Sequence, residues 1–174
     1  MVDQVKQTFK LNSRISKDKT ELIAEEVLDY IIERTKSGKG KDGKSFPSYS
    51  DSYKNSINYK AARKDGTPNL TLSGEMIDSL KVLEVKNGSF TIGFSKSDKE
   101  VNARAEGNIL GSYGGSPNKS KARNFLEMSS SEIAKIIRNI DMLPTDVQKE
   151  ISKLARDGAI ELISTLDFEI EDEE

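Results

Sequence analysis

Apolar residues recur along this chain with two periods. In TELIAEEVLDYIIERTKS, residues 20–37, Ile23, Val27, Tyr30 and Ile31 fall at helical spacing and Leu22 widens the stripe. Asp18 with Glu21 three residues on supplies an N-terminal cap, so a helix is predicted over about 18–35. SSSEIAKIIRNI, residues 129–140, repeats the pattern with Ile133, Ile136, Ile137 and Ile140, and Ser129 with Glu132 forms a capping box. This gives a helix over about 130–140. After Pro144, Thr145 and Gln148 form another box. Val147, Ile151, Leu154, Ala155, Ala159 and Leu162 predict a last helix over about 146–166.

The second period is two. Asn87-Gly88 is a two-residue turn signal between alternating segments, so a β-hairpin is predicted over about 81–94. A turn there sets Val85 opposite Phe90 and Leu83 opposite Ile92, on one apolar face that Phe94 continues. QTFKLN, residues 7–12, alternates weakly, as an edge strand would. Between these elements lies LTLSGEMIDSLKVLEV, residues 70–85. Leu70 and Leu72 alternate like a strand, Ser73 offers a cap, and Met76, Ile77 and Leu80 follow at helical spacing. Gly74 permits a tight junction between the two. The predicted class is therefore α+β: an antiparallel sheet containing the hairpin, packed by amphipathic helices.

Two long segments interrupt the pattern. Residues 36–68 are rich in Lys, Gly, Ser and Tyr, with helical character at about 50–62 around Tyr53, Ile57 and Ala61. Residues 106–122, EGNILGSYGGSPNKSKA, read as a second loop, after a short helix or irregular turn at 97–105. Residues 1–166 are expected to form a single domain with these long loops, followed by an acidic tail at 167–174.

Composition narrows the chemistry. The chain has 174 residues, 34% apolar and 32% charged, with no cysteine and no histidine. Disulfides and thiolate metal sites are excluded, and the commonest general base and metal ligand are missing. No carboxylate pair stands out by spacing, so no catalytic residue, cofactor or metal is expected. No signal peptide and no apolar run of membrane-spanning length is seen. The net charge of −2 conceals an asymmetry: residues 1–66 are net basic and residues 67–174 net acidic. The last eight residues, DFEIEDEE, contain no base. They are a solvated terminus or a tail that docks on a basic surface of a neighbouring subunit.

GKGKDGKS, residues 38–45, fits the phosphate-loop pattern G-x-x-x-x-G-K-[ST]. That loop works only when a strand delivers it and a helix leaves it. Here a helix is predicted before it, and Phe46-Pro47 with the turn-like SYSDSY follows. A solvated basic loop is expected instead.

Three segments resemble the bacteriophage virion-morphogenesis family of tail-completion and neck proteins. GKDGKSFPSYSDSYK (40–54) is similar to the family's G-x-x-F-x-P-Y-S-x-x-Y segment. LTLSGEMIDSLKV (70–82) is similar to its L-T-x-[ST]-G-x-M-x-x-S-[IL] signature, and KARNFLEMSSSEIAKII (121–137) to its R-x-F-L-x-x-S-x-x-[DE] segment. With the first helix the likeness spans about 18–140. It departs at ARAEGN (103–108), where the family often carries a His/Gln-containing stretch before a glycine, and after about 141.

The resemblance implies a non-enzymatic structural protein of the virion, made in the host cytoplasm. Its subunits would form a homo-oligomeric ring, commonly a hexamer, that caps the tail tube or bridges it to the connector or portal-side neck proteins. Tail terminator and neck adaptor remain alternatives. Ring contacts need two different complementary surfaces on one protomer, which a basic N-terminal half and an acidic C-terminal half can supply. Tyrosine is favoured at interfaces. The residues expected at protein contacts are Lys39, Lys41, Lys44, Phe46, Tyr49, Tyr53, Tyr113, Glu169 and Glu171. Arg123 and Phe125 are expected to anchor the last helices to the sheet. Non-specific contact with DNA in a ring lumen is a further possibility. An independent alternative is a nucleic-acid-binding module using Lys39, Lys41, Lys44, Lys54, Lys60, Arg63 and Lys64 as a basic patch. The third is a nucleotide hydrolase built on residues 38–45.

Overall fold

The computed structural model describes residues 3–62, 66–71, 74–112 and 115–141. The predicted helix at 146–166 and the acidic tail lie outside them. The first strand, β1 (Lys6–Lys10), leads to a long helix, α1 (Lys17–Lys36). Two short helices follow, α2 (Asp51–Lys54) and α3 (Ile57–Ala61), then a single turn, α4 (Glu75–Asp78). The hairpin strands β2 (Lys81–Lys86) and β3 (Ser89–Gly93) come next, then α5 (Lys99–Leu110) and α6 (Ser130–Asp141). The sheet is antiparallel in the order β1-β3-β2, with helices packed on it: an α+β fold.

The hairpin forms where the alternation places it. Val85 pairs with Phe90, but Ile92 faces Val82 rather than Leu83, because an irregularity between Val82 and Glu84 inserts an extra residue. Such a bulge shifts the register by one position, which no period-2 pattern reveals. The turn also departs from expectation. Gly88 has φ 67° while Asn87 stays at negative φ, so it is not the turn with two left-handed residues. Gly88 is required twice over. Its φ lies in the left-handed region, and a side chain there would meet the backbone of Asn12 and Ser13; its N–H also donates to Thr20 Oγ1 at 3.0 Å. Strand β1 completes the sheet with Phe9 opposite Phe90, their rings stacked at 4.9 Å.

Helix α1 starts earlier than the Asp18–Glu21 spacing implies. Ser16 is the cap, its hydroxyl accepting from Lys19 N. Ile23, Val27 and Ile31 are fully buried against β2 and β3, with Leu22 and Tyr30 at the margin. α6 lies along α1, and its stripe Ile133, Ile136, Ile137 and Ile140 is buried. Its capping box forms as predicted: Ser129 N donates to Glu132 Oε2 at 2.9 Å and Glu132 N to Ser129 Oγ at 3.3 Å.

Three local expectations fail. Leu70 is not in a strand but sits in the left-handed region at φ 56°, buried, its N–H held by Tyr49 Oη. α4 is capped by Gly74 at φ 77° without a side-chain bond, while Ser73 lies outside the described residues. The segment expected to be a loop from 106 continues α5 to Leu110, where Gly111 at φ 67° ends it in the left-handed cap that glycine favours. A Cβ on Gly111 would meet Ala122 N at 2.7 Å, so the returning chain also demands glycine.

Candidate protein interface

The segment from 38 to 61 forms only short helical turns, and two buried arginines tie it down. Behind α1, Ser37 closes the helix and Gly38 turns it at φ 74°. Phe46 N then returns to Gly38 O at 2.9 Å, Gly40 N to Lys44 O at 2.8 Å, and Lys39 bridges Ser45. GKGKDGKS is thus a tight loop between a helix and an extended segment, with only a turn of 3-10 helix at Lys41–Gly43 inside it. No strand delivers it and no helix leaves it, so its N–H groups are not arranged as a phosphate loop requires.

Arg34, near the end of α1, holds this loop's base. Its Nη1 pairs with Glu132 Oε1 at 2.9 Å, and its Nη2 donates to Phe125 O at 2.9 Å and Glu127 O at 2.8 Å. Tyr30 Oη donates to the same Glu132 oxygen at 3.0 Å. Burial, the largest influence on the Glu132 carboxyl, pushes its pKa up; the Ser129 amide, the Arg34 charge and the Asp42 amide together outweigh it and hold the group below 4.5. Burial and then Glu132 push the Tyr30 phenol up. Lys41 reaches Glu127 Oε1 at 2.6 Å, and that bond raises the Lys41 pKa.

Arg123 holds the other end. Its Nε donates to Pro47 O and its Nη2 to Ser48 O, each at 2.9 Å, and its guanidinium lies 4.8 Å from the Tyr49 ring centre. Tyr49, Tyr53 and Tyr59 pack on one another with ring centres 4.9 to 5.8 Å apart. Phe125, on the same segment as Arg123, is fully buried with its ring edge-on to Phe94 of the sheet. Arg123 therefore anchors the 47–49 segment, and Phe125 anchors the chain entering α6 to the sheet.

The residues expected at protein contacts separate into groups. Phe46 is 8% exposed and belongs to the core, and its ring lies where a Cβ on Gly40 would fall. Tyr49 and Tyr53 are half-buried in the aromatic cluster. Lys41 is half-buried in its ion pair. Lys39 and Lys44 are exposed, as is Lys60. Tyr113, Glu169 and Glu171 lie outside the described residues, as do Arg63 and Lys64. Sequence reasoning missed Ile57, which is 86% exposed. The helical pattern around Tyr53, Ile57 and Ala61 assumes one helix; instead Ser50 and Ser56 cap two separate turns. The break rotates Tyr59 inward and Ile57 out. The second serine, three residues before Tyr59, is the signal that could have shown it.

Among the described residues no group of acidic, His or Cys side chains is placed to hold a metal, and no helix is long and apolar enough to cross a membrane. No family model, no characterised protein and no solved structure matches the chain.

Proposed function

We propose that this chain is a ring-forming structural protein of the phage head–tail interface, at the neck or tail end. The observation that carries the reading is where the three segments resembling that family come together. Arg123, from the third, grips the Pro47 and Ser48 carbonyls and the Tyr49 ring of the first, and Tyr49 Oη takes the N–H of Leu70, from the second. Motif residues scattered over 40–137 thus share one packed cluster. The cluster fixes residues 50–61, on which Ile57 and Lys60 are exposed, as are Lys39 and Lys44 of the preceding loop. A packed segment with an exposed isoleucine, together with lysines that have no carboxylate partner among the described residues, is suited to a neighbouring protein. The test is native mass spectrometry and electron microscopy of the full chain, with and without tail tubes, together with antibody labelling of particles. Closed rings and label at the head–tail junction are expected. A single copy at every concentration, with no label on particles, overturns the reading.

One observation favours the nucleic-acid reading as runner-up. Among the described residues Lys39, Lys44, Lys54 and Lys60 have no carboxylate within ion-pair distance. A gel shift that weakens steeply with salt and is lost in the Lys39→Glu/Lys44→Glu/Lys60→Glu chain would support it.

A further inference from the structure

The sheet has two edges, and they differ. β2 carries the bulge, and its outward residues Glu84 and Lys86 neutralise each other at 2.8 Å. Bulges and edge charges of this kind discourage pairing. β1 is regular over its whole length, and among the described residues only β3 runs beside it. The bonds Phe94 N to Val5 O and Leu11 N to Gly88 O set the ladder's phase. By the alternation of an antiparallel pair, Gln7 and Phe9 turn their backbone groups towards β3. Lys6 and Thr8 turn theirs away from the sheet. Their side chains share the face opposite the core with Lys10, while Gln7 and Phe9 point inward.

The tail has the pattern that would answer this edge. Asp167-Phe168-Glu169-Ile170-Glu171 alternates acidic and apolar positions with period two. Laid beside Lys6-Gln7-Thr8-Phe9-Lys10, it sets three carboxylates on the lysine face and Phe168 and Ile170 on the core face. The match holds in either strand direction, with Glu169 beside Thr8. Twenty-five residues separate Asp141 from Asp167, enough to reach about 45 Å with the expected helix over 146–166 formed. We infer that residues 167–171 of a neighbouring copy add to the outer edge of β1 as a fourth strand. The inference rests on the ring reading: a tail from one protomer and an edge on the next are the two unlike surfaces a head-to-tail ring needs. Backbone bonds would give the contact its strength and the lysine–carboxylate pattern its register.

The absence of cysteine makes the test clean. Thr8→Cys and Glu169→Cys full-length chains are purified separately, mixed and oxidised, since partners across a strand pair lie within disulfide range. A covalent pair between unlike chains is expected, with its yield falling several-fold when Glu174→Cys replaces Glu169→Cys. A doubly substituted chain that closes on itself, while the mixed chains stay unlinked, overturns the inference, and so does no linkage in either experiment. As a second measurement, Thr8→Pro removes the N–H aimed away from β3 and leaves the β1–β3 backbone ladder intact, and Thr8→Val serves as its control because it loses the same side-chain bond to Thr91 Oγ1 while keeping the N–H. With Thr8→Pro but not Thr8→Val, or with residues 167–174 deleted, the assembled species should be lost; persistence in both the proline and the deleted chains overturns the inference. Rings of the unmodified chain without cross-linking would fail this contact alone, whereas single copies throughout would fail the ring reading.

Discussion

Two of the chain's buried polar sites are treated oppositely. At Arg34 the two terminal nitrogens are met by a carboxylate, two carbonyls and, through Glu132, a phenol and a backbone amide, and Nε alone has no partner among the described residues. At Gln7, 1% exposed on the core face of β1, neither amide atom has a hydrogen-bond partner among the described residues. The first site joins α1, α6 and the 124–129 segment, elements far apart in sequence, and its geometry defines how they meet. The second joins nothing; it is a core position that holds a polar residue. Burial of a polar group stabilises a fold only when its partners are buried with it.

The sharpest way to break this comparison is at Arg34. Removing one member of a buried ion pair strands the other, at about 3–5 kcal/mol. Arg34→Ala should lose stability in that range by denaturant titration, with Arg34→Lys only partly better because an ammonium cannot reproduce the forked contacts. A loss below about 1 kcal/mol would show that α1 and α6 are held by their isoleucines alone.

Glu132 gives the same comparison a pH axis. Its carboxyl is more acidic in the folded chain than in the unfolded one. Its contribution is therefore complete above the ordinary value of 4.5 and is lost as pH falls through the lower folded value. Glu132→Gln should destabilise at pH 7, and the gap to the unsubstituted chain should narrow as pH falls below the ordinary carboxylate value and through the lower folded one. A gap constant across that window would mean that the charge is irrelevant and only the shape matters.

At Gln7 the sign reverses. Replacing an unpartnered buried amide by an apolar group of similar shape removes a desolvation cost of about 1–3 kcal/mol. Gln7→Met should raise the unfolding midpoint with the sheet unchanged. Destabilisation instead would show that the amide is met by something the chain does not itself supply.

These two sites also mark how far the sequence could be read. The hairpin, α1 and α6 follow from period alone, because Val27, Ile31, Ile133 and Ile137 face a core whichever neighbour provides it. The Ser129–Glu132 box is legible because both partners lie within one turn. Arg34 is not, since its three partners come from residues 91 to 98 positions away and a lysine or arginine in a helix's last turn reads as solvated. The bulge at Leu83 and the left-handed Leu70 are set by tertiary packing, which a local pattern does not contain, whereas the break at Ser56 carries a local capping signal that the helical period overrode. The basic character of 38–60 is visible, but the structure divides it: Lys41 is spent on Glu127, whereas Lys39 and Lys44 remain at the surface.

Ile57 is the converse of Gln7, an apolar side chain where the fold asks for a polar one, and it separates stability from assembly. It begins α3, where an acidic side chain is favourable in the first turn, and at 86% exposure it takes almost nothing from the core. Ile57→Asp should change unfolding free energy by no more than about 0.5 kcal/mol. Tyr53 and Tyr59 should keep their packing, visible as unchanged near-ultraviolet circular dichroism. If the 50–61 segment contacts a neighbouring protein through this residue, the same substitution sets a charge in an apolar contact, and the assembled fraction should drop at fixed concentration. An Ile57→Asp chain that assembles as well as the unsubstituted one moves the contact elsewhere, to the lysines or to the edge of β1, and leaves Ile57 as one of the scattered exposed apolar residues that any surface carries.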